Sequence, residues 1–221
     1  MESVRYLPLG DRAITLELGD QIDENINSRV RALAVAIEKE GIEGLKEVVP
    51  TYRSLTVYYE PLTLGYQALL GRLQEVVDRV GEVQATAGRL IEVPVVYGGR
   101  WGPDLEFVAS HNGLTPGEVV EIHTSVEYLV YMVGFTPGFP YLGGMSPRIG
   151  APRLEVPRPK VAAGSVGIAG GQTGVYPLDT PGGWRIIGWT PWKLFDPFRE
   201  EPALFKAGDR VRFVEVEENE G

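Results

Sequence analysis

The sequence predicts an α+β N-terminal domain followed by a mainly β barrel domain, and three observations carry that prediction. In the first third, apolar residues recur every three or four positions in two segments, each preceded by a pair of β-rich runs. Between Gly81 and Gly88 the chain turns small and polar, reading Gly-Glu-Val-Gln-Ala-Thr-Ala-Gly, and its character changes afterwards. Beyond that point short strand-like runs alternate with dense glycine and proline, the punctuation of a barrel. The expected domains are 1–84 and 89–221.

From Arg5 to Gly19 the chain reads as two short strands around a turn at Gly10 and Asp11. Between Asp23 and Glu40, Ile26, Val30, Leu33, Ala34 and Ile37 share one helical face, and Gly41 stops the helix. Leu45 to Val49 and Leu55 to Tyr59 read as two more strands. A second helix, from about Gly65 to Val80, carries the stripe Leu69, Leu73, Val76 and Val80. This β-β-α-β-β-α order places two helices over one face of an antiparallel sheet. The second part opens with a strand, Leu90 to Tyr97, and two short helices. Thr115-Pro-Gly-Glu118 begins the second of these with an N-cap, an N1 proline and a capping-box glutamate. Strands are expected at Val126 to Val133, Ser165 to Ala169, Trp184 to Trp189 and Val211 to Val216.

Composition narrows the function classes. A chain of 221 residues with 43% hydrophobic content fills a real core, and its apolar runs fall short of the roughly 20 residues a membrane span requires. The start Met-Glu-Ser-Val-Arg-Tyr lacks a secretory pattern, so the protein reads as cytoplasmic. With no cysteine, neither a thiolate nucleophile nor a Cys-based metal site exists. A net charge of −9 argues against nucleic acid as partner. Part of that charge lies in the tail at Glu215, Glu217, Glu218 and Glu220, read as a solvated fray.

Three glycine-rich stretches stand out: Gly134-Phe-Thr-Pro-Gly-Phe-Pro-Tyr-Leu-Gly-Gly144, Gly164-Ser-Val-Gly-Ile-Ala-Gly-Gly-Gln-Thr-Gly174 and Pro181-Gly-Gly-Trp-Arg-Ile-Ile-Gly188. Glycine serves tight barrel corners, and it also lets a ligand approach the main chain. The second stretch could present successive backbone N–H groups to an anion. It is no Walker loop, and Ala163-Gly-Ser-Val-Gly167 lacks the first glycine and the following helix of a nucleophile elbow around Ser165. Any imidazole chemistry rests on His111 or His123, both at helix ends where the helix dipole alone accounts for a histidine. Glu127 follows His123 by four residues, with a break in structure expected between them. Arg148, Arg153, Arg158 and Lys160, spaced by prolines, form a cationic cluster on a stiff loop without helix or sheet. They suit a carboxylate or phosphate, or surface ion pairs.

These strings resemble the family named allophanate hydrolase subunit 1, which includes the kinase inhibitor KipI and the B subunit of 5-oxoprolinase. The similarity runs through 134–144, the Pro-Arg pairs at 152–153 and 157–158, the segment 163–177 and the Pro-Gly-Gly-Trp184 segment. Ala162 stands where the family is expected to carry proline. The resemblance implies that the second domain is a cyclophilin-like β-barrel. For members of the oxoprolinase type it implies the C and A subunits of 5-oxoprolinase as partners, with ATP and 5-oxo-L-proline as substrates and L-glutamate as product. In the division of labour expected from it, the B–C pair activates the lactam and the A component hydrolyses it. From the chemistry such a reaction needs, and not from the resemblance, His123 and Arg158 are the catalytic candidates, and Arg153, Lys160, Ser165, Gln172, Thr173 and Trp184 the substrate- or phosphate-binding ones, with no metal ligand assigned in this chain. A KipI-like protein would instead dock on a sensor histidine kinase. The Ser-cisSer-Lys arrangement of an allophanate-cleaving amidase is not found.

Overall fold

The computed structural model describes residues 4–81 and 88–218. The chain divides into two compact units, Met1–Ala87 and Gly88–Gly221. The small polar stretch 82–87 lies outside the described residues.

The first unit holds strands β1 (Arg5–Leu9) and β2 (Ala13–Glu17), helix α1 (Glu24–Lys39), strands β3 (Leu45–Pro50) and β4 (Ser54–Tyr59), and helix α2 (Tyr66–Val80). The strands form one sheet in the order β1-β2-β4-β3, antiparallel throughout. Asp23 caps α1, its carboxylate accepting the amides of Asn25 and Ile26. Val30, Leu33 and Ile37 of α1 and Leu69, Leu73 and Val76 of α2 pack on Ile14, Leu16, Leu55 and Val57 of the sheet. Ile26 and Val80 are only partly buried, because each sits at the edge of its helix stripe. Asn27 is fully buried on α1, and its side-chain amide donates to the carbonyls of Thr51 and Tyr52. It thereby closes the β3–β4 turn from outside the sheet.

In the second unit, β5 (Leu90–Tyr97) leads to helices α3 (Leu105–His111) and α4 (Pro116–Thr124). The remaining strands are β6 (Tyr128–Val133), β7 (Pro140–Gly143), β8 (Arg158–Val161), β9 (Ser165–Ala169), β10 (Gln172–Val175), β11 (Thr180–Gly182), β12 (Arg185–Trp189) and β13 (Arg210–Glu215). Seven of them close a barrel in the order β10-β7-β6-β13-β5-β12-β9, while β8 and β11 pair separately. The long parallel register of β5 with β13 joins the first and last strands of the unit. The capping box of α4 forms: Thr115 accepts the Glu118 amide, and the Glu118 carboxylate accepts the Thr115 amide. The barrel interior is filled by Val93, Val95, Tyr128, Val166, Ile168, Ile187 and Phe213.

Two expectations are corrected. The proline-spaced segment is not wholly a loop, since Arg158–Val161 is a strand; a two-stranded ribbon tolerates Pro159 because an edge strand has one side that needs no partner. The tail is not frayed at Glu218, whose carboxylate pairs with Arg100 and accepts the Trp101 indole N–H at 2.9 Å; Glu220 lies outside the described residues.

Asn27→Ala should lower the unfolding free energy by about 1–3 kcal/mol, because it strips two part-buried carbonyls of their donor. Urea denaturation followed by circular dichroism measures the loss.

Candidate functional site

The first and third glycine-rich stretches line an aromatic cavity of about 230 Å³ on the barrel unit, and Gly174 of the second packs against its Phe139 wall. Its walls are Phe135 and Phe139 from the β6–β7 connection, Tyr141 on β7, Tyr176 just after β10, Trp184 before β12, and Arg153 with Pro157 from the segment leading into β8. Phe139 is the hub. Its ring stands edge-on to Phe135, Tyr141, Tyr176 and Trp184, with centroids 5.6, 5.1, 5.4 and 5.4 Å away. These are the separations aromatic pairs prefer.

Glycine is required where these rings press on the backbone. A Cβ at 182 would stand 2.5 Å from the Tyr176 hydroxyl oxygen, and one at 174 would stand 2.9 Å from the tip of the Phe139 ring. Two of the three signatures therefore carry glycine to admit the aromatic walls. The second stretch does not form an anion nest. Residues 165–169 and 172–175 are paired as strands β9 and β10, with outward partners β12 and β7, and the Gly164, Ser165 and Gly170 amides donate to the carbonyls of Tyr176, Ala162 and Ala151.

The cationic cluster separates into different roles. Arg158 grips Asp104 with both terminal nitrogens, each 2.9 Å from a carboxylate oxygen, and one of them also lies 3.4 Å from the Trp184 carbonyl. Asp104 is 6% exposed and also accepts the Ile186 amide at 2.7 Å. Lys160 pairs with Asp179 at 2.7 Å, which raises the Lys160 pKa. Arg153 differs: among the described residues no carboxylate lies within ion-pair distance of it. Its guanidinium sits 5.9 Å from the Trp184 ring centroid. Burial pushes the Tyr141 and Tyr176 hydroxyls up, and the charge of Arg153 opposes the shift in both, which sets that cation beside the cavity wall.

His123 occupies a different place. It is fully buried inside the barrel, stacked on Phe213 with centroids 4.6 Å apart. The Thr173 hydroxyl spends its one proton on the Gly167 carbonyl at 3.1 Å, so it accepts from His123 Nε2–H at 2.9 Å. Nδ1 is then the acceptor for the Tyr97 hydroxyl at 2.7 Å. Desolvation holds the His123 pKa down at about 3, so the ring is neutral. Glu127 does not orient it; its carboxylate pairs with Arg212.

The structure thus gathers Arg153 and Trp184 at the cavity, with Arg158 behind them, and joins His123 to Thr173 in the barrel interior. Ser165 is 7% exposed at the start of β9, Gln172 begins β10, and neither they nor Lys160 line the cavity. Asp104, Tyr176 and Tyr97 were not foreseen. An aspartate before a short helix and tyrosines near strand ends carry no local signal of their distant partners. Phe135 stood out in the sequence only as an aromatic, yet it is the one non-glycine residue with positive φ among the described residues, at 63°. Also among the described residues, no three His, Asp or Glu side chains gather as a metal site, and no helix is long and apolar enough to cross a membrane.

A closed barrel bearing this cavity, preceded by a sheet with two helices, has known counterparts. The chain belongs to the carboxyltransferase domain family, subdomain C and D, whose family model matches residues 4–205. It is 46% identical to the 5-oxoprolinase B subunit of Bacillus subtilis (strain 168) over 99% of this chain and 96% of that protein. To the 5-oxoprolinase B subunit of Escherichia coli O157:H7 it is 45% identical, over 99% of each. The solved structure of TTHA0988 superposes with a TM-score of 0.83 at 42% identity, the match covering 94% of this chain and 40% of that longer one.

Two outcomes test the local chemistry. Gly182→Ala should displace Tyr176 and cost about 1–3 kcal/mol of stability by overpacking, read from urea unfolding. For His123, whose folded pKa lies below its unfolded value of 6.5, the unfolded state binds the extra proton. Stability is therefore unaffected above that pH and falls by up to about 1.4 kcal/mol per pH unit as pH drops from 6.5 toward 3. A pH series of unfolding free energies should be less steep for His123→Gln by up to one proton.

Proposed function

We propose that this chain is the B subunit of an ATP-dependent 5-oxoprolinase, acting in the cytoplasm with A and C subunits to open 5-oxo-L-proline to L-glutamate, and inactive alone. One observation carries the reading: near-full-length identity of 46% and 45% to two proteins named as the B subunit of 5-oxoprolinase. In this reading residues 1–84 form an α+β domain, and residues 89–221 a cyclophilin-like barrel domain whose aromatic cavity is the substrate contact.

The reaction adds water to the lactam carbonyl carbon, breaks the ring C–N bond, and leaves a carboxylate and an amine. A protein that positions such a poor electrophile needs a fixed, partly dry seat. The Phe139-centred cavity offers one. Arg158 acts through its grip on Asp104 and the Trp184 carbonyl, holding the wall in place, while Arg153 and Trp184 face the substrate. His123 and Thr173 set the position of β10 from within the barrel.

The donor set of this chain does not suit a triphosphate. The cavity is below the roughly 300–1,000 Å³ of sites for drug-sized ligands, Arg158 and Lys160 are committed to aspartates, and β9 and β10 are paired with each other as strands. ATP is therefore assigned to the complex and not to this barrel alone.

The test is release of glutamate from 5-oxoproline by the protein mixed with A and C subunits and ATP, each component omitted in turn. Loss of activity without this chain is expected. Full activity in its absence would remove it from the enzyme.

A further inference from the structure

We propose that the aromatic cavity is a carboxylate-selective seat for the lactam, in which Arg153 receives the carboxylate and Phe135 closes over the ring. This rests on the 5-oxoprolinase reading and goes beyond it by saying which part of the substrate this chain recognises, and with which side chain.

Three independent observations carry it. The first is the sorting of the cations. Arg158 is bidentate to a buried aspartate, Lys160 is paired with Asp179, and Arg153 alone of these three holds no carboxylate among the described residues. Its guanidinium lies over an indole, on the border between apolar wall and solvent. Arg153 is exposed, so its guanidinium is open to an incoming anion, and its planar fork matches a carboxylate. Trp184 behind it is 6% exposed, and its backbone carbonyl is touched by Arg158, so the indole is a fixed platform.

The second observation is shape. A cavity of about 230 Å³ with rings on several sides takes a small body with flat and apolar faces. A five-membered lactam has a planar amide and two methylene groups to lay against Phe135 and Tyr141, the wall aromatics that keep open surface, with its carboxylate directed to the Arg153 side. A nucleotide base with its ribose and phosphates would overfill the space.

The third is strain beside the cavity mouth. Phe135 has φ 63°, a conformation costly to a residue with a Cβ, and its ring remains 64% exposed. The neighbouring Thr136 hydroxyl oxygen is buried and finds no hydrogen-bond partner. Backbone hydrogen bonds hold the turn, with the Thr136 amide donating to the Gly134 carbonyl across Phe135, while the exposed ring touches Phe139 by its edge only. A ligand under Phe135 would add contact by covering the ring on its cavity side. Strain held at a ligand clamp, with an unsatisfied polar group adjoining it, fits a loop set for an occupant that completes it.

The experiment uses the full complex with this chain carrying Arg153→Ala, Arg153→Lys or Phe135→Ala. 5-Oxoproline is varied at saturating ATP, then ATP at saturating 5-oxoproline. Loss of a charged hydrogen-bond partner predicts a KM for 5-oxoproline raised about tenfold or more in Arg153→Ala, with kcat and the KM for ATP little changed, and partial recovery in Arg153→Lys. 2-Pyrrolidinone, the same lactam without the carboxylate, serves as a competitor. The wild type should ignore it at concentrations where Arg153→Ala no longer tells it from 5-oxoproline. Phe135→Ala should weaken both ligands together, leaving their ratio as in the wild type.

An unchanged KM for 5-oxoproline in Arg153→Ala, or a change confined to the KM for ATP, overturns the proposal while leaving the assignment to the enzyme standing. Failure of that assignment appears separately, as activity that persists when this chain is omitted. In that event tryptophan fluorescence of the chain titrated with 5-oxoproline and with 2-pyrrolidinone decides the seat. A saturable change with the first that Arg153→Ala abolishes supports it, and its absence removes it.

Discussion

Asp104 is the joint on which the barrel unit's outer architecture turns. It stands at the start of α3, its amide donating to the Ile186 carbonyl while its carboxylate accepts the Ile186 amide. The same carboxylate takes Arg158 from β8, and Arg185 from β12 lies 3.8 Å away. One buried charge thus ties a helix start, a barrel strand and the β8–β11 ribbon to each other. A carboxylate with so little solvent is stable only with its partners in place, so the three elements hold or fail together. Arg158 belongs to this framework, and the pairing that makes it structural also removes it from contention as a free anion binder.

From that joint the cavity wall is set. Trp184 lies two residues before Ile186, with its carbonyl beside Arg158, so its indole faces Phe139 at a fixed angle. Phe139 in turn organises four other rings through edge contacts, and glycines at 174 and 182 give those rings the space a Cβ would deny. Aromatic bulk and glycine are complementary halves of one packing solution. Their joint appearance in the sequence has a steric cause before it has a chemical one. The chemical use of the cavity depends on what that packing leaves unfilled, and on Arg153 at its wall, which holds no carboxylate among the described residues.

The barrel interior stands apart from this wall. The chain Tyr97–His123–Thr173–Gly167 carries hydrogen bonds from β5 through α4 to the β9–β10 hairpin. Every donor in it meets an acceptor, and burial keeps the imidazole neutral. Such a network fixes the register of the elements it joins. Its full satisfaction contrasts with the loop at Phe135, which combines a positive φ with the unpartnered Thr136 hydroxyl.

Periodicity, caps and runs of β-branched residues are local properties, so the strand and helix order of the first unit, the capping box of α4 and the longer barrel strands were legible in the residues alone. The three glycine-rich strings were legible as a family signature, while whether they made barrel corners or a binding surface was left open by the residues alone. Short strands such as β7, β8, β10 and β11 escaped notice: three or four residues containing glycine or proline give no period to read, and their pairing energy comes from distant chain. The roles of the cations were likewise undecidable from spacing. Arg153, Arg158 and Lys160 look alike in the sequence, and only the positions of Asp104 and Asp179 sort them. Those aspartates lie 54 residues before Arg158 and 19 after Lys160. Ion pairing and burial depend on distance in space, and closing the barrel is what converts separation along the chain into contact.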